Sequence, residues 1–319
     1  MTLDLMWLRT WIEVVDAGGF ARAAERVHLS QPRVSAHVAS LERELGCCLI
    51  ERRVRPLTLT EEGKLLLPKA RAVLAAADDL ATTRLAADGA LAGTVRVASF
   101  ASASAEFLPQ VLTRLRAAHP LVELGILDGD VSVIGGALLE RRVSVALRPL
   151  RPEPRVAGLS MRPLWREPFV CLLPAGHPLT GQAEVHPEQL AQERVITIGN
   201  PLSEAHLGYE AEEALRAEGE EIPFGTVSHQ PTTLAAMVRG GHGVGVINYL
   251  AAVMIGRHGL EIRPVSDLDT YRDVGIWWHA DRPLSGPAHA FIDLVLRTPR
   301  PDGTDPVPWS IRVTDNRYP

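Results

Sequence analysis

The sequence predicts an α/β chain in three parts: an N-terminal winged helix-turn-helix, a long helix, and a two-lobed α/β region. Three observations carry that prediction. Phe20 to Thr60 reads as two short helices meeting at a tight turn, followed by an arginine-rich hairpin. From Thr60 to about Asp88 a long helical run follows, with Pro68 kinking it or displacing its start. From Thr94 the pattern changes to strand–helix alternation, which implies parallel strands joined by crossover helices.

Leu5 to Ala17 forms the first helix, with Leu5, Leu8, Ile12 and Val15 as its inner face, and Gly18-Gly19 stops it. Trp7 and Trp11 are i, i+4 neighbours suited to packing. Phe20, Ala23, Ala24 and Val27 recur at helical spacing. Ser30 is an N-cap candidate for the next helix, and Pro32 sits in its first turn, where a missing N–H costs nothing. Val34, Val38, Leu41 and Leu45 give that helix its apolar stripe, and Gly46 ends it. Its opposite face carries Gln31, Arg33, Ser35, His37 and Ser40, which suit base edges and phosphates in a major groove. Ile50, Leu57 and Leu59 pin the following wing, from which Arg52, Arg53 and Arg55 project toward a phosphate backbone.

Thr60 caps the long helix, and Glu61 and Glu62 favour the positive end of its dipole. Leu66, Val73, Leu74, Ala77, Leu80, Ala81 and Leu85 run along it, with Pro68 as a kink point. A helix this long with a narrow apolar seam suits pairing with a second chain. Beyond Gly89 and Gly93 come strand 94–99, helix 103–118, strand 121–127, helix 131–141 and strand 143–148. Strands at 169–174, 195–198, 225–229 and 244–248 make a second set; strand 275–279 and helix 284–296 close the first. The expected architecture is two lobes of parallel sheet with helices on both faces. The tail from Pro299 is proline-rich and reads as irregular.

At 319 residues the chain is long enough for two or three domains, and 46 % hydrophobic residues fill a core. The net charge of −5 excludes a basic nucleic-acid coat. Locally, though, Arg26, Arg33, Arg43, Arg52, Arg53 and Arg55 outnumber Glu42, Glu44 and Glu51, and local basicity decides contact with DNA. Only Cys47, Cys48 and Cys171 are present, which suggests a reducing compartment. There is no basic-then-apolar leader and no long apolar run, so a cytoplasmic protein without a membrane segment is expected. No G-x-S-x-G, P-loop, metal-spaced His/Cys set or dinucleotide fingerprint appears, so neither an enzyme nor a cofactor is expected.

Candidate ligand residues collect where strands end. Ser99, Phe100 and Ser102 follow the first strand of the α/β region; Thr197 and Asn200 follow a strand of the second lobe. Gln230 opens a third helix. Serine and threonine clusters at helix starts suit a small anion or polar acid, because open α/β sheets bind ligands at carboxyl strand ends. Taken singly, each such serine is also an ordinary N-cap. Arg148 offers a charge-assisted contact to a carboxylate, whereas Asp128 and Asp130 repel anions or select an amine.

The runs AAERVHLSQPRVSAHVASLERELG and LIERRVRPLTLTEEG resemble the N-terminal domain of LysR-type transcriptional regulators. AGHPL at 175–179 and MVRGGHGVGVIN at 237–248 resemble that family's effector domain, whose fold is like that of periplasmic solute-binding proteins. The resemblance implies a winged helix-turn-helix over 1–59, a linker and dimerisation helix over 60–90, and an effector-binding domain over 91–298. Within the last, lobe I takes about 91–163 and 268–298, and lobe II about 164–267, leaving a tail at 299–319. It further implies double-stranded DNA, a small-molecule effector, RNA polymerase and a homodimer or homotetramer as partners. Two positions depart from the family pattern: Ala36 follows Ser35 where arginine is frequent, and Ser144 stands where aspartate is. The reading set then rests on Gln31, Pro32, Arg33 and Ser35, with His37 outward. A different class stays open, a ligand-binding module whose helix-turn-helix serves only assembly.

Overall fold

A computed structural model describes residues 3–51, 56–85, 90–151, 158–199, 210–217, 224–266, 271–280 and 284–308. Helices α1 (Leu5–Asp16), α2 (Phe20–Arg26) and α3 (Gln31–Leu45) form the first domain. Asp4 caps α1 by accepting from the Met6 N–H at 2.7 Å. Leu8, Trp11, Val14, Ala23, Val34, Val38 and Leu41 form the core, each 3 % exposed or less. Trp11 and Val14 take the innermost places expected for Ile12 and Val15, and Leu5 is 43 % exposed. The stripe turns by one residue because burying the large indole removes more apolar surface from water. Ser30 precedes α3 in an extended conformation but caps through its carbonyl alone, which accepts from Arg33 and Val34 N–H at 3.0 Å. Gly46 ends α3 at φ 71°, a left-handed conformation that suits glycine.

The wing is a two-stranded ribbon, β1 (Ile50–Glu51) and β2 (Thr58–Leu59), with Ile50 opposite Leu59. Thr60 then opens α4 (Glu61–Leu85): its hydroxyl accepts from Gly63 N–H at 2.9 Å and donates to the Cys48 carbonyl at 2.7 Å. A side chain at Gly63 would lie 2.2 Å from the Leu49 carbonyl oxygen, so only glycine lets α4 start this close to the wing. Leu67 and Ala70 pack into the first domain, while Leu65, Val73 and Leu80 are 70 %, 41 % and 76 % exposed. The side chains of Ala81 and Leu85 fall outside the described ones.

The remaining chain runs β3 (Ala92–Ser99), α5 (Ala101–Glu106), α6 (Leu108–Ala118), β4 (Leu121–Asp128), α7 (Val131–Leu139), β5 (Val145–Pro149) and β6 (Leu159–Glu167). It crosses to β7 (Phe169–Pro174), α8 (Pro187–Leu190), β8 (Val195–Ile198), α9 (Glu210–Ala217), β9 (Phe224–Ser228) and α10 (Pro231–Arg239). Then follow β10 (Val244–Asn248), α11 (Tyr249–Ile255) and β11 (Leu260–Pro264), before β12 (Arg272–His279) and α12 (Gly286–Arg297). Lobe I is the sheet β4-β3-β5-β12-β6, and lobe II the sheet β11-β7-β10-β8-β9.

Several expectations need correction. The helix expected over 103–118 is two, broken at Phe107, because Pro109 in the first turn of α6 has no N–H to continue the α5 ladder. The sheets are mixed rather than parallel. β12 runs antiparallel to β5 and β6, and β7 antiparallel to β10 and β11, because the strands that cross between lobes return through the sheets in the opposite sense. Lobe I extends to Glu167, since β6 pairs with β12 over its whole length. β6 and β11 were not anticipated. Part of the tail is anchored: Asp305 bridges Arg166, and a side chain at Gly303 would strike the Tyr249 ring at 2.3 Å. Residues 309–319 lie outside the described ones.

Candidate nucleic-acid interface and interlobe cleft

On α3, Gln31, Pro32, Arg33 and Ala36 are exposed, while Ser35 and His37 are half-buried. His37 is not simply outward. Its Nδ1 lies 2.9 Å from the Thr10 hydroxyl, and that hydroxyl gives its own proton to the Met6 carbonyl at 2.7 Å. Because that hydroxyl gives its proton to Met6, it accepts from the Nδ1–H of His37. Thr10 is fully buried, so α1 fixes how α3 presents its histidine. Arg52, Arg53 and Arg55 lie outside the described residues. Cys48 is exposed and Cys47 half-buried, its thiol pushed up by burial and by Glu62, Cys48 and Glu42.

Several of the candidate ligand residues meet at the junction of the lobes. Ser99 is fully buried at the end of β3, its hydroxyl donating to the Phe100 carbonyl at 3.3 Å. The Phe100 ring lies 4.3 Å beneath the Arg272 guanidinium, a cation–π stack. Arg272 also donates to the Ser102 hydroxyl at 3.3 Å and, through Nε and Nη2, to Glu167 Oε1 at 2.8 and 2.6 Å. The second Glu167 oxygen accepts from the Leu250 N–H at 2.9 Å. Glu167 is fully buried and Arg272 9 % exposed. This pair joins the two chain crossovers between lobes, next to the turn that carries Phe100 and Ser102.

The other candidates separate. Asp128 is exposed and accepts from Ser104 at 2.5 Å. Arg148 is 3 % exposed, its guanidinium 5.2 Å over Trp277 inside lobe I. Thr197 is fully buried in lobe II with no hydrogen-bond partner for its hydroxyl. Gln230 is exposed at the N-cap of α10, its N–H donating to Ser228 at 3.2 Å. Asn200 lies outside the described residues.

Sequence reasoning missed three features here. Glu167 and Arg272 are 105 residues apart, and no local period signals that they pair. His229 of lobe II stands 3.6 Å from Asp130 of lobe I, a contact between lobes. Burial raises the Asp130 carboxyl, but bonds from Ser132 and the Val133 N–H, with His229, outweigh it and leave it below the usual value. Asn248, buried at the end of β10, also escaped notice, although a polar residue closing an apolar strand could have marked it. Among the described residues, no group of three or more His, Cys, Asp or Glu is placed to hold a metal ion.

A helix-turn-helix domain, a connecting helix and a two-lobed ligand-binding fold define a regulator that couples a nucleic-acid interface to a cleft. Residues 5–64 match the bacterial regulatory helix-turn-helix protein, lysR family, and residues 88–300 match the LysR substrate binding domain. The chain belongs to the LysR family of transcriptional regulators. It is 36 % identical over 181 residues to a probable hydrogen peroxide-inducible genes activator of Mycobacterium xenopi, covering 57 % of this chain and 95 % of that one. It is 25 % identical over 297 residues to the uncharacterized HTH-type transcriptional regulator YvbU of Bacillus subtilis (strain 168), covering 92 % and 97 %. Among solved structures it resembles a full-length OxyR from Pseudomonas aeruginosa carrying a cysteine-to-aspartate substitution. The TM-score is 0.69 at 26 % identity, over 93 % of this chain and 99 % of that one. CbnR, a LysR family regulator also solved with its target DNA, shares the fold at 20 % identity.

Proposed function

We propose that this chain binds an operator in double-stranded DNA through α3 and the wing, and that a small molecule held between its lobes controls that binding. The observation that carries the reading is the exposed first turn of α3, Gln31-Pro32-Arg33, on a three-helix core with a wing behind it. Gln31, Pro32, Arg33, Ser35 and His37 face the bases, and Arg52, Arg53 and Arg55 hold phosphates. Ser99, Phe100 and Ser102 at the lobe junction are the central effector residues of this reading, and Asp128, Arg148, Thr197, Asn200 and Gln230 are its outlying candidates. Exposed Leu65, Val73 and Leu80 on α4 suit pairing into a homodimer or homotetramer. The protein acts in the cytoplasm, with RNA polymerase as its downstream partner and without catalysis of its own. No helix among the described residues is long and apolar enough to cross a membrane.

The relatives named for peroxide induction do not extend that chemistry to this chain's effector region. Its single cysteine there, Cys171, is fully buried, and burial pushes its thiol up to about 12, which disfavours the thiolate that peroxide oxidises. The effector in this reading binds without covalent chemistry.

A gel shift with a duplex from the gene's own upstream region tests the DNA half. A retarded band at low salt that weakens steeply with added salt is the expected result. Absence of a band at low salt favours a ligand-binding module whose helix-turn-helix serves assembly alone.

A further inference from the structure

Among the described residues of lobe II, three buried polar atoms have no hydrogen-bond partner: Thr197 Oγ1, Asn248 Nδ2 and Glu212 Oε2. Thr197 is fully buried, and Asn248 and Glu212 are each 7 % exposed. Buried polar groups are nearly always paired, so each of these needs an explanation. The fold gathers them at one edge. β8 and β10 run parallel with Val246 opposite Thr197. Alternation then sets Thr197, Val246 and Asn248 on one sheet face, above Val195 and Val244. α9 covers that face, since Ala211, Ala214 and Leu215 share a core with Val195, Val244 and Val246. β9 is parallel to β8, so the crossover rule runs α9 back from the carboxyl end of β8, which sets Glu212 of its first turn toward that end. The carboxyl edge of parallel strands is where open α/β sheets hold ligands.

The three groups differ in what they offer. Asn248 Nδ2 only donates, and Thr197 both donates and accepts. A Glu212 carboxylate only accepts, and its other oxygen already holds Arg216 at 2.6 and 2.9 Å. We propose that this edge binds a small ligand with an acceptor oxygen, for Asn248 and Thr197, and a donor hydrogen, for Glu212: a hydroxy acid or an amino acid. A dicarboxylate brings like charge and no hydrogen to Glu212, and a simple amine brings no acceptor to Asn248. The proposal rests on the reading of this region as an effector domain; of that reading's effector residues it uses Thr197 alone, and it places the ligand within lobe II.

The test uses the full chain and three near-isosteric variants, Thr197→Val, Asn248→Asp and Glu212→Gln. Each is titrated with glycolate, glycine, succinate and ethylamine by thermal shift and calorimetry. Glycolate or glycine raises the Tm of the wild type, and its Kd weakens by about tenfold in Thr197→Val and Asn248→Asp. Which of the two binds separates hydroxy acid from amino acid. If Asn248→Asp does not fold, Asn248→Leu replaces it. An unchanged Kd in all variants overturns the site. Binding of succinate or ethylamine alone overturns the ligand class, and so does the absence of any shift with the four probes. A gel shift of the wild type runs alongside. A retarded band with no ligand response removes this site and leaves the regulator reading. Absence of a band removes the regulator reading, and the ligand titrations are then judged alone by the same outcomes.

Discussion

Arg33 and His37 stand one helical turn apart on α3, yet they are held differently. Arg33 is exposed in the first turn with the reach to take a guanine edge through two parallel hydrogen bonds. Arg33→Ala is expected to weaken operator binding by about 1–3 kcal/mol and to relax preference at one base pair, read by competition gel shifts with single-base variants. An equal loss on every duplex would make Arg33 a phosphate contact instead. His37 is tied by the buried Thr10 hydroxyl, 2.9 Å away. Thr10→Val keeps the shape and deletes that bond, at about 0.5–1.5 kcal/mol of stability in urea unfolding. It also frees the ring, so operator affinity should fall although Thr10 itself touches no DNA. Affinity that stays level while stability drops would leave the bond with a purely structural role.

The elements that sequence revealed are those with a period of their own. α3 shows its apolar stripe, β3 alternates Val95 and Val97 with Thr94 and Arg96, and β8 and β10 are short, largely apolar runs between turns. β6 and β11 were hidden because polar and charged residues interrupt them, as in Leu159–Glu167 with Arg162 and Arg166. The antiparallel sense of β12 is set by the path between lobes, which no local pattern records. The ligand turn was legible through Ser99, Phe100 and Ser102, but the Glu167–Arg272 pair behind it was not, since it depends on two distant strands meeting. That pair gives a prediction about how β6 and β12 are joined. Arg272→Met strands a fully buried carboxylate and is expected to cost about 3–5 kcal/mol. For a domain of this size that lowers Tm by on the order of 10 °C in calorimetry. Adding Glu167→Gln to Arg272→Met should restore part of the loss, because no uncompensated charge is then buried. A Tm unchanged by Arg272→Met would mean that water reaches the carboxylate and the crossovers are not stapled there.

Across the whole molecule, one buried arginine spans all three parts of the chain. Arg71 of α4 is 7 % exposed. It ion-pairs with Asp16 at the end of α1, donates to the Glu140 carbonyl at 2.8 Å, and lies 3.5 Å from the Glu140 carboxylate. Arg142 donates to the same carboxylate oxygen, Oε2, at 2.9 Å. The first domain and lobe I therefore share a cation carried by the connecting helix. Burial pushes the Asp16 carboxyl up, and the pull of Arg71 and Arg142 only partly offsets it. The sign follows: with its folded value raised, an ionised Asp16 costs stability above that value, and the cost is relieved as pH falls through it. Removing Arg71 enlarges the cost. In a double-mutant cycle, Arg71→Met and Asp16→Asn should show a coupling of about 0.5–3 kcal/mol at pH 7, and Arg71→Met should lose less stability at pH 5 than at pH 7. Urea unfolding at the two pH values measures both, and small-angle scattering of Arg71→Met should show a larger radius of gyration as lobe I leaves α4. Additive losses with an unchanged radius would show that the two domains keep their arrangement without this cation, and a shift of lobe I could then not reach α1 through it.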